Sequence, residues 1–150
     1  MIKLEQVLAA GAAAGALCAC ASDRVDFGGV MSPASSPSDA VACDQAAWSV
    51  AERVQPEYPR QLMTFLYLNQ SRRDVRELTF SYDINPDGET RNIRFVSPEA
   101  FLDHRATQSA ILAAAEALAQ FRYDWAGAGA PAYTQGCALH FAFNASIPQN

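Results

Sequence analysis

The sequence predicts an α+β fold in which a small antiparallel sheet is covered on one face by a long helix. Three segments alternate apolar and polar residues with the two-residue period of half-buried strands. One further segment has the apolar spacing of an amphipathic helix. Because strands that bury one face need helices against that face, the α-α-β-β-α-β order predicts a two-layer sandwich with a three-stranded antiparallel sheet.

Two short helices are predicted at the start of the globular part, which extends from Cys43 to Asn150. Asp44 has the side chain of an N-cap for a helix that runs through Val54. The Gln55-Pro56-Glu57-Tyr58-Pro59 run ends that helix, and its last proline suits the first turn of a second helix from Arg60 to about Leu68.

A β-hairpin is predicted between Val75 and Ser97. Its first strand, Val75 to Ile84, carries an apolar side chain at every second position: Leu78, Phe80, Tyr82 and Ile84. The Asn85-Pro86-Asp87-Gly88 run has the composition of a tight turn. The second strand, Arg91 to Ser97, then places Ile93 and Phe95 on one face, and the two strands together form the hairpin.

The longest helix is predicted from His104 to about Phe121, with Asp103 as its N-cap. Its apolar face consists of Ile111, Leu112, Ala115, Leu118 and Ala119. A last strand from Cys137 to Ala145 directs Cys137, Leu139, Phe141 and Phe143 to one face. His140 falls on the opposite face, where we expect it to be exposed.

Composition excludes several classes of protein. The chain has 150 residues, enough for one domain, and its 11 basic against 16 acidic residues leave a net charge of -5. Because no basic surplus is available to bind phosphates, we expect no nucleic-acid partner. The longest apolar run, Val7 to Ala21, is shorter than a membrane-spanning helix requires.

No catalytic or metal-binding pattern is present in the sequence. The two histidines and four cysteines have neither the His-x-x-x-His nor the Cys-x-x-Cys spacing of zinc ligands. There is no Gly-x-Ser-x-Gly nucleophile motif and no glycine-rich phosphate loop. We therefore expect no enzymatic activity, no metal and no cofactor.

Residues 1–19 have the layout of a secretory signal, with a short polar start, an apolar stretch and small residues at the end. Leu17-Cys18-Ala19-Cys20 resembles the bacterial lipobox, which implies cleavage before Cys20 and lipidation of that residue. Ala21 and Ser22 are not the aspartate that marks inner-membrane retention, so the resemblance favours the outer membrane. A plain signal peptide cleaved near Ala21 and a Cys18-x-Cys20 metal site are the alternatives.

Residues 21–42 are rich in serine, proline, glycine and alanine, and this composition predicts a flexible tether. Once Cys18 is removed and Cys20 is lipidated, Cys43 and Cys137 remain. Because an exported chain meets an oxidising compartment, this pair predicts a disulfide. Two free thiols, one of them a nucleophile, are the competing interpretation.

Four local features occur in one order along the chain. They are Val54-Gln55-Pro56-Glu57-Tyr58-Pro59, the run from Phe80 to Gly88 that ends in Pro-Asp-Gly, the helix end Ala119-Gln120-Phe121-Arg122-Tyr123, and the closing strand Leu139-His140-Phe141-Ala142-Phe143. Together they resemble the TonB C-terminal domain family over about residues 50–145.

The resemblance implies a periplasmic module that binds an extended segment of an envelope protein, such as the TonB box of an outer-membrane receptor, by adding a strand to its sheet. The implied partner-binding residues are Gln55, Pro56, Tyr58, Pro59, Leu139, His140, Phe141, Ala142 and Phe143. Two alternatives remain open. One is an energy transducer of TonB-dependent transport whose N-terminus is retained as an inner-membrane anchor, and the other is a TolA-like structural envelope protein or homodimer.

Overall fold

The computed structural model describes residues 25–69, 71–72 and 76–143, which form a mixed α+β fold. The predicted signal segment 1–19, the lipidation site Cys20 and the end of the predicted last strand lie outside these residues. The helices are α1 (Phe27–Met31), α2 (Arg60–Leu68) and α3 (Arg105–Ala119). The strands are β1 (Val41–Ala42), β2 (Trp48–Glu52), β3 (Glu77–Ile84), β4 (Thr90–Ser97), β5 (Arg122–Trp125) and β6 (Thr134–Ala142).

The main sheet has four strands in the order β1-β6-β3-β4, rather than the three that were predicted. The three predicted strands are present as β3, β4 and β6, and they pair antiparallel. The fourth strand, β1, is parallel to β6 and pairs only with Thr134 and Gln135. Its two residues carry no readable alternation, so only their hydrogen bonds to β6 identify them as a strand.

The predicted helix from Asp44 to Val54 is wrong. Asp44 does cap a single 3₁₀ turn, Gln45–Ala47, by accepting from the Ala46 N–H at 3.0 Å, but β2 follows at once. This strand pairs antiparallel with β5 in a separate two-stranded sheet. Trp48 is buried there, because its indole packs edge-on against Trp125 and donates to Thr134 Oγ1 at 3.0 Å. Tertiary contacts thus outweigh a weak helical preference.

The hairpin of β3 and β4 has the predicted faces. All four alternating apolar residues of β3 are buried, as are Ile93 and Phe95 of β4. In the turn, Asn85 Oδ1 accepts from the N–H groups of Asp87 and Glu89. Gly88 has φ +80°, and a Cβ there would lie 1.9 Å from the Tyr123 carbonyl oxygen, so glycine is required at this position.

Helix α3 packs against β4 and β3 of the main sheet, and its buried face differs in detail from the predicted one. Ala110 and Ala114 are fully buried, whereas Leu112 and Ala119 are only partly so. The N-cap is His104 rather than Asp103, because a 3₁₀ turn at Glu99–Leu102 places the helix start one residue later. The second short helix is α2, which begins after Pro59 as the proline predicted.

The predicted tether is not extended throughout its described part, residues 25–42. Residues 27–31 form α1, which packs against β4 and α3 and buries Val30 to 1% exposure. Further along, the Ser36 hydroxyl donates to Asp83 Oδ2 at 2.7 Å. One apolar residue and one hydroxyl therefore dock a segment whose average composition is that of a linker.

Candidate functional site

The outer edge of β6 is the structural feature that the predicted partner-binding residues share. β3 pairs with β6 from Glu77↔Ala142 to Ile84↔Thr134, whereas β1 covers the opposite edge only at Thr134 and Gln135. Within residues 25–69, 71–72 and 76–143, no other strand pairs with β6. The backbone from Ala138 to Ala142 therefore borders an edge without a strand partner among these residues.

Backbone alternation decides which residues of β6 point toward that edge. The Phe143 N–H donates to the Arg76 carbonyl at 2.7 Å, which places the odd-numbered residues of this part of β6 toward β3. On the other side, the Gln45 side-chain amide donates to the Ala138 carbonyl at 3.3 Å. The N–H and C=O groups of Ala138, His140 and Ala142 thus face outward, where a further strand would bind.

The side chains of β6 divide as the sequence predicted. Leu139 and Phe141 are partly buried against the core, with the Phe141 ring 5.9 Å from Phe80 and 6.2 Å from Phe121. His140 is exposed on the opposite face, with Nδ1 3.0 Å from Thr79 Oγ1. The free edge therefore has one apolar face and one polar face.

The second predicted contact region, residues 55–59, lies at the end of the same strand. The Tyr58 ring packs edge-on against Phe143 with centroids 5.0 Å apart, and burial raises the pKa of the Tyr58 phenol to about 12. Pro56 and Pro59 are partly buried, whereas Gln55 is exposed. The structure thus brings the two predicted regions together through one aromatic contact.

The predicted disulfide between Cys43 and Cys137 is present, with Cα atoms 5.1 Å apart. It lies where β1 leaves β6, directly before the unpaired part of the edge. The bond therefore fixes the end of the short parallel strand and the start of the free edge relative to each other.

A pocket of about 200 Å³ adjoins the disulfide and the first unpaired residues of β6. Its walls come from β2, β3, β5 and β6, and include Trp48, Val50 and Leu139. Two tyrosines also line it, and their hydroxyls lie 2.7 Å apart. Burial raises the pKa of both Tyr82 and Tyr123. The sequence did not reveal this pocket, because one of its walls belongs to the strand that was predicted as a helix.

A second, more polar groove of about 810 Å³ runs between the Met31–Ser36 segment and the main sheet. At its base the Asp83 carboxylate, 5% exposed, accepts hydrogen bonds from Ser36, Asn92, Tyr133 and the Gly136 N–H. Burial and the neighbouring Asp83 raise the pKa of Tyr133 to about 12. Because polar donors from separate segments meet at one carboxylate, Asp83 holds the segment before β1 on the sheet.

No group of three or more histidine, cysteine, aspartate or glutamate side chains within the described part of the chain could hold a metal ion. No helix among these residues is long and apolar enough to cross a membrane.

The fold is α+β, with a disulfide beside a stretch of sheet edge that has no strand partner among the described residues. A comparison with protein-family models finds no match for the chain. A comparison with curated proteins finds none either.

Proposed function

We propose that this chain is a protein-binding module that adds an extended segment of an envelope protein to the outer edge of β6. The observation that carries the proposal is the row of outward backbone groups at Ala138, His140 and Ala142. Unpaired N–H and C=O groups at a sheet edge supply affinity for any extended chain, and neighbouring side chains supply selectivity.

The local sequence features support a TonB C-terminal type of module with a two-layer sandwich. In this proposal β4, β3 and β6 form its sheet and α3 its helical layer. The partner is then a segment such as the TonB box of an outer-membrane receptor. The contact between Tyr58 and Phe143 supports this, since it places the Gln55–Pro59 segment beside the strand that would be paired.

The proposed location is the periplasm, with a lipid on Cys20 anchoring the chain to the outer membrane. The disulfide supports an oxidising compartment. Labelling of the full-length protein with palmitate would test the anchor, with Cys20→Ser as the control that should lose the label. A labelled chain that lacks residues 1–19 would contradict the alternative of an energy transducer held by its N-terminus in the inner membrane.

Site-specific photocrosslinking in the native envelope tests the binding edge. The full-length protein would carry a photoreactive phenylalanine analogue in place of His140, whose side chain is exposed beside the free edge. A matched variant would carry the same analogue in place of Glu116, which is exposed on α3. Mass spectrometry of the crosslinked peptides would identify the contacted segment.

The proposal predicts crosslinks from position 140 to one extended segment of another envelope protein, and no such crosslinks from position 116. Crosslinks from position 140 only to a second copy of the chain would contradict it and indicate a homodimer that buries its own edge. Partner crosslinks only from position 116 would place binding on a different surface.

A further inference from the structure

We propose that the pocket beside the disulfide selects the partner by accepting one apolar side chain of the strand added to β6, and that Gln45 covers this position in the free protein. The inference rests on the proposed edge pairing and adds to it the chemistry of the segment that binds.

The position follows from how side chains align between paired strands. Residues directly opposite each other in a sheet have their side chains on the same face. Leu139 of β6 points inward and lines the pocket, together with Val50 of β2 and the disulfide. The partner residue opposite Leu139 therefore points its side chain toward the pocket, whereas the residue opposite His140 points to the polar outer face.

The size and lining of the pocket determine the side-chain class. A cavity of about 150 Å³ lined by apolar side chains holds a benzene molecule. The pocket here has about 200 Å³ and is walled by Trp48, Val50, Leu139 and the disulfide, so one aliphatic or aromatic side chain fits. The hydroxyls of Tyr82 and Tyr123 bond to each other, which leaves them less available to a polar guest. A charged side chain would lose its hydration there without a partner of opposite charge.

The pocket adjoins backbone that has no strand partner within residues 25–69, 71–72 and 76–143, so an extended peptide can occupy both, which a free small molecule cannot do. Ala138 and Leu139 line the pocket and also begin the unpaired part of the edge. A ligand that fills the pocket and pairs with His140 and Ala142 must therefore present both a side chain and a backbone in the extended conformation.

In the free protein, the Gln45 side chain makes a hydrogen bond that the backbone of a bound peptide would make. The Gln45 side-chain amide donates to the Ala138 carbonyl at 3.3 Å, an outward carbonyl a few residues beyond those that β1 covers. Gln45 is exposed and follows the capping residue of a 3₁₀ turn, so its side chain can leave without disturbing the core. An incoming N–H would replace this single hydrogen bond.

The test uses the full-length oxidised protein and a displayed library of random peptides of about seven residues, enough to span the free edge at roughly 3.3 Å per residue. Val50→Trp fills the pocket from an exposed position, and Ser49→Trp introduces the same side chain on the opposite face of β2. Selected peptides would also be synthesised with N-methyl groups at alternate positions, which removes their pairing N–H groups without changing the protein.

We expect the selected peptides to share one aliphatic or aromatic residue at a fixed position. Val50→Trp should weaken their binding by at least about ten-fold, the loss expected when one apolar side chain is no longer buried. Ser49→Trp should leave binding within about two-fold of the original protein, since it changes no buried contact. Gln45→Ala should tighten binding by about two- to ten-fold, the free energy of one hydrogen bond. Gln61→Ala, which changes an exposed side chain of α2, should leave binding unchanged.

The other outcomes separate the two proposals. One outcome would overturn the pocket inference and leave edge pairing intact. In it, the selected peptides share no apolar residue at a fixed position, bind Val50→Trp as tightly as the original protein, and no longer bind once they are N-methylated. Peptides whose binding survives N-methylation would overturn edge pairing, and the inference with it. Unchanged affinity in Gln45→Ala would overturn the role of that residue.

Discussion

The disulfide joins Cys43 and Cys137, which are 94 positions apart in the sequence, and connects the end of β1 to the last strand. A cross-link between residues so far apart restricts the unfolded chain more than the folded one. For a loop of this length the resulting stabilisation of the folded state is roughly 4 kcal/mol. We therefore expect Cys43→Ser to lower the midpoint of thermal unfolding under oxidising conditions. Calorimetry in the absence and presence of reductant measures this effect.

In reductant, the original protein and Cys43→Ser should unfold at nearly the same temperature, because neither then contains the cross-link. An equally large difference in both conditions would mean that Cys43 stabilises the fold by packing. The double replacement of both cysteines provides the control, since it removes the bond without leaving a free thiol at either of the two positions.

Phe141 lies on the buried face of β6 but keeps part of its ring exposed. Because some of its apolar surface is in water already, Phe141→Ala should lower the free energy of unfolding by about 2–3 kcal/mol, less than the roughly 3–5 kcal/mol of a fully buried phenylalanine. Phe80→Ala supplies that comparison, since Phe80 is fully buried. Urea unfolding of the original protein, Phe141→Ala and Phe80→Ala checks that the loss of stability is larger at Phe80.

His140→Ala is the matched control on the other face of the same strand, and it should change stability by less than about 0.5 kcal/mol. If His140→Ala costs more than Phe141→Ala, the faces of β6 are inverted, because a one-residue shift exchanges every side chain between the two faces.

Burial raises the pKa of Tyr58 and Tyr133 from 10.0 to about 12. Between these values the folded chain retains protons that the unfolded chain releases, so the free energy of unfolding falls as the pH rises from about 10 to 12. Below pH 10 the contribution of these two phenols to the free energy of unfolding is fully present. Absorbance of phenolate during an alkaline titration should show late ionisation in the folded protein and earlier ionisation in denaturant; coincident curves would contradict this.

At the scale of one element, β6 combines a protected and an open side. The odd-numbered residues of its second half bond to β3, whereas His140 and Ala142 direct their N–H groups outward. Amide hydrogen exchange should therefore alternate along the strand, slow at Leu139 and Phe141 and fast at His140 and Ala142. Residue-resolved exchange measured by NMR tests this.

Slow exchange at His140 and Ala142 in the isolated protein would mean that the edge is covered, either by a second copy or by a segment of the same chain. Repeating the measurement at several protein concentrations distinguishes a second copy, whose protection grows with concentration, from a covering segment of the same chain, whose protection does not.

For the whole molecule, the described fold begins before Cys43. Val30 is buried to 1% exposure and Ser36 bonds to the buried Asp83, so a chain that starts at Cys43 exposes apolar surface and removes one donor from a carboxylate. We expect residues 43–150 to unfold several degrees below residues 25–150, since a loss of 1 kcal/mol lowers the melting temperature of a domain this size by about 2–8 °C. Calorimetry of the two purified chains checks this.

A chain that starts at Ala21 is the control for the truncation itself, and it should melt with residues 25–150. Equal melting temperatures for the chains that start at Val25 and at Cys43 would mean that α1 is only loosely docked, and that the segment behaves as the tether that its composition predicts.

The strands of the main sheet were predictable where a buried face repeats every second residue. Leu78 to Ile84 and Cys137 to Phe143 satisfy that condition, and the Asn85–Gly88 turn joins two such segments. Three strands, β1, β2 and β5, were missed. β1 and β2 do not alternate with a single buried face, and β5 has only four residues, too few to establish a period. Trp48 is the only buried residue of β2, and both residues of β1 are exposed.

The predicted site was only partly accessible to sequence reasoning. The stretch from Leu139 to Phe143 has the pattern of a half-buried strand. Whether its outer edge is paired depends on where β1 ends, and the backbone hydrogen bonds of β1 to Tyr133 and Gln135 decide that. The pocket beside the disulfide depends on β2, β3, β5 and β6 meeting, so no single segment carries a signal for it.

The α+β class and the faces of β3, β4 and β6 could be predicted from local periodicity. The pairing of Cys43 with Cys137 was predicted only on the assumption that Cys18 is cleaved off and Cys20 is lipidated, and the structure contains this disulfide. The tertiary structure alone decided the strand β2, the docking of α1, the hydrogen bonds to Asp83 and the position of the unpaired edge. These depend on contacts between residues far apart in the chain, and such contacts override local preferences that differ by only a few tenths of a kcal/mol per residue.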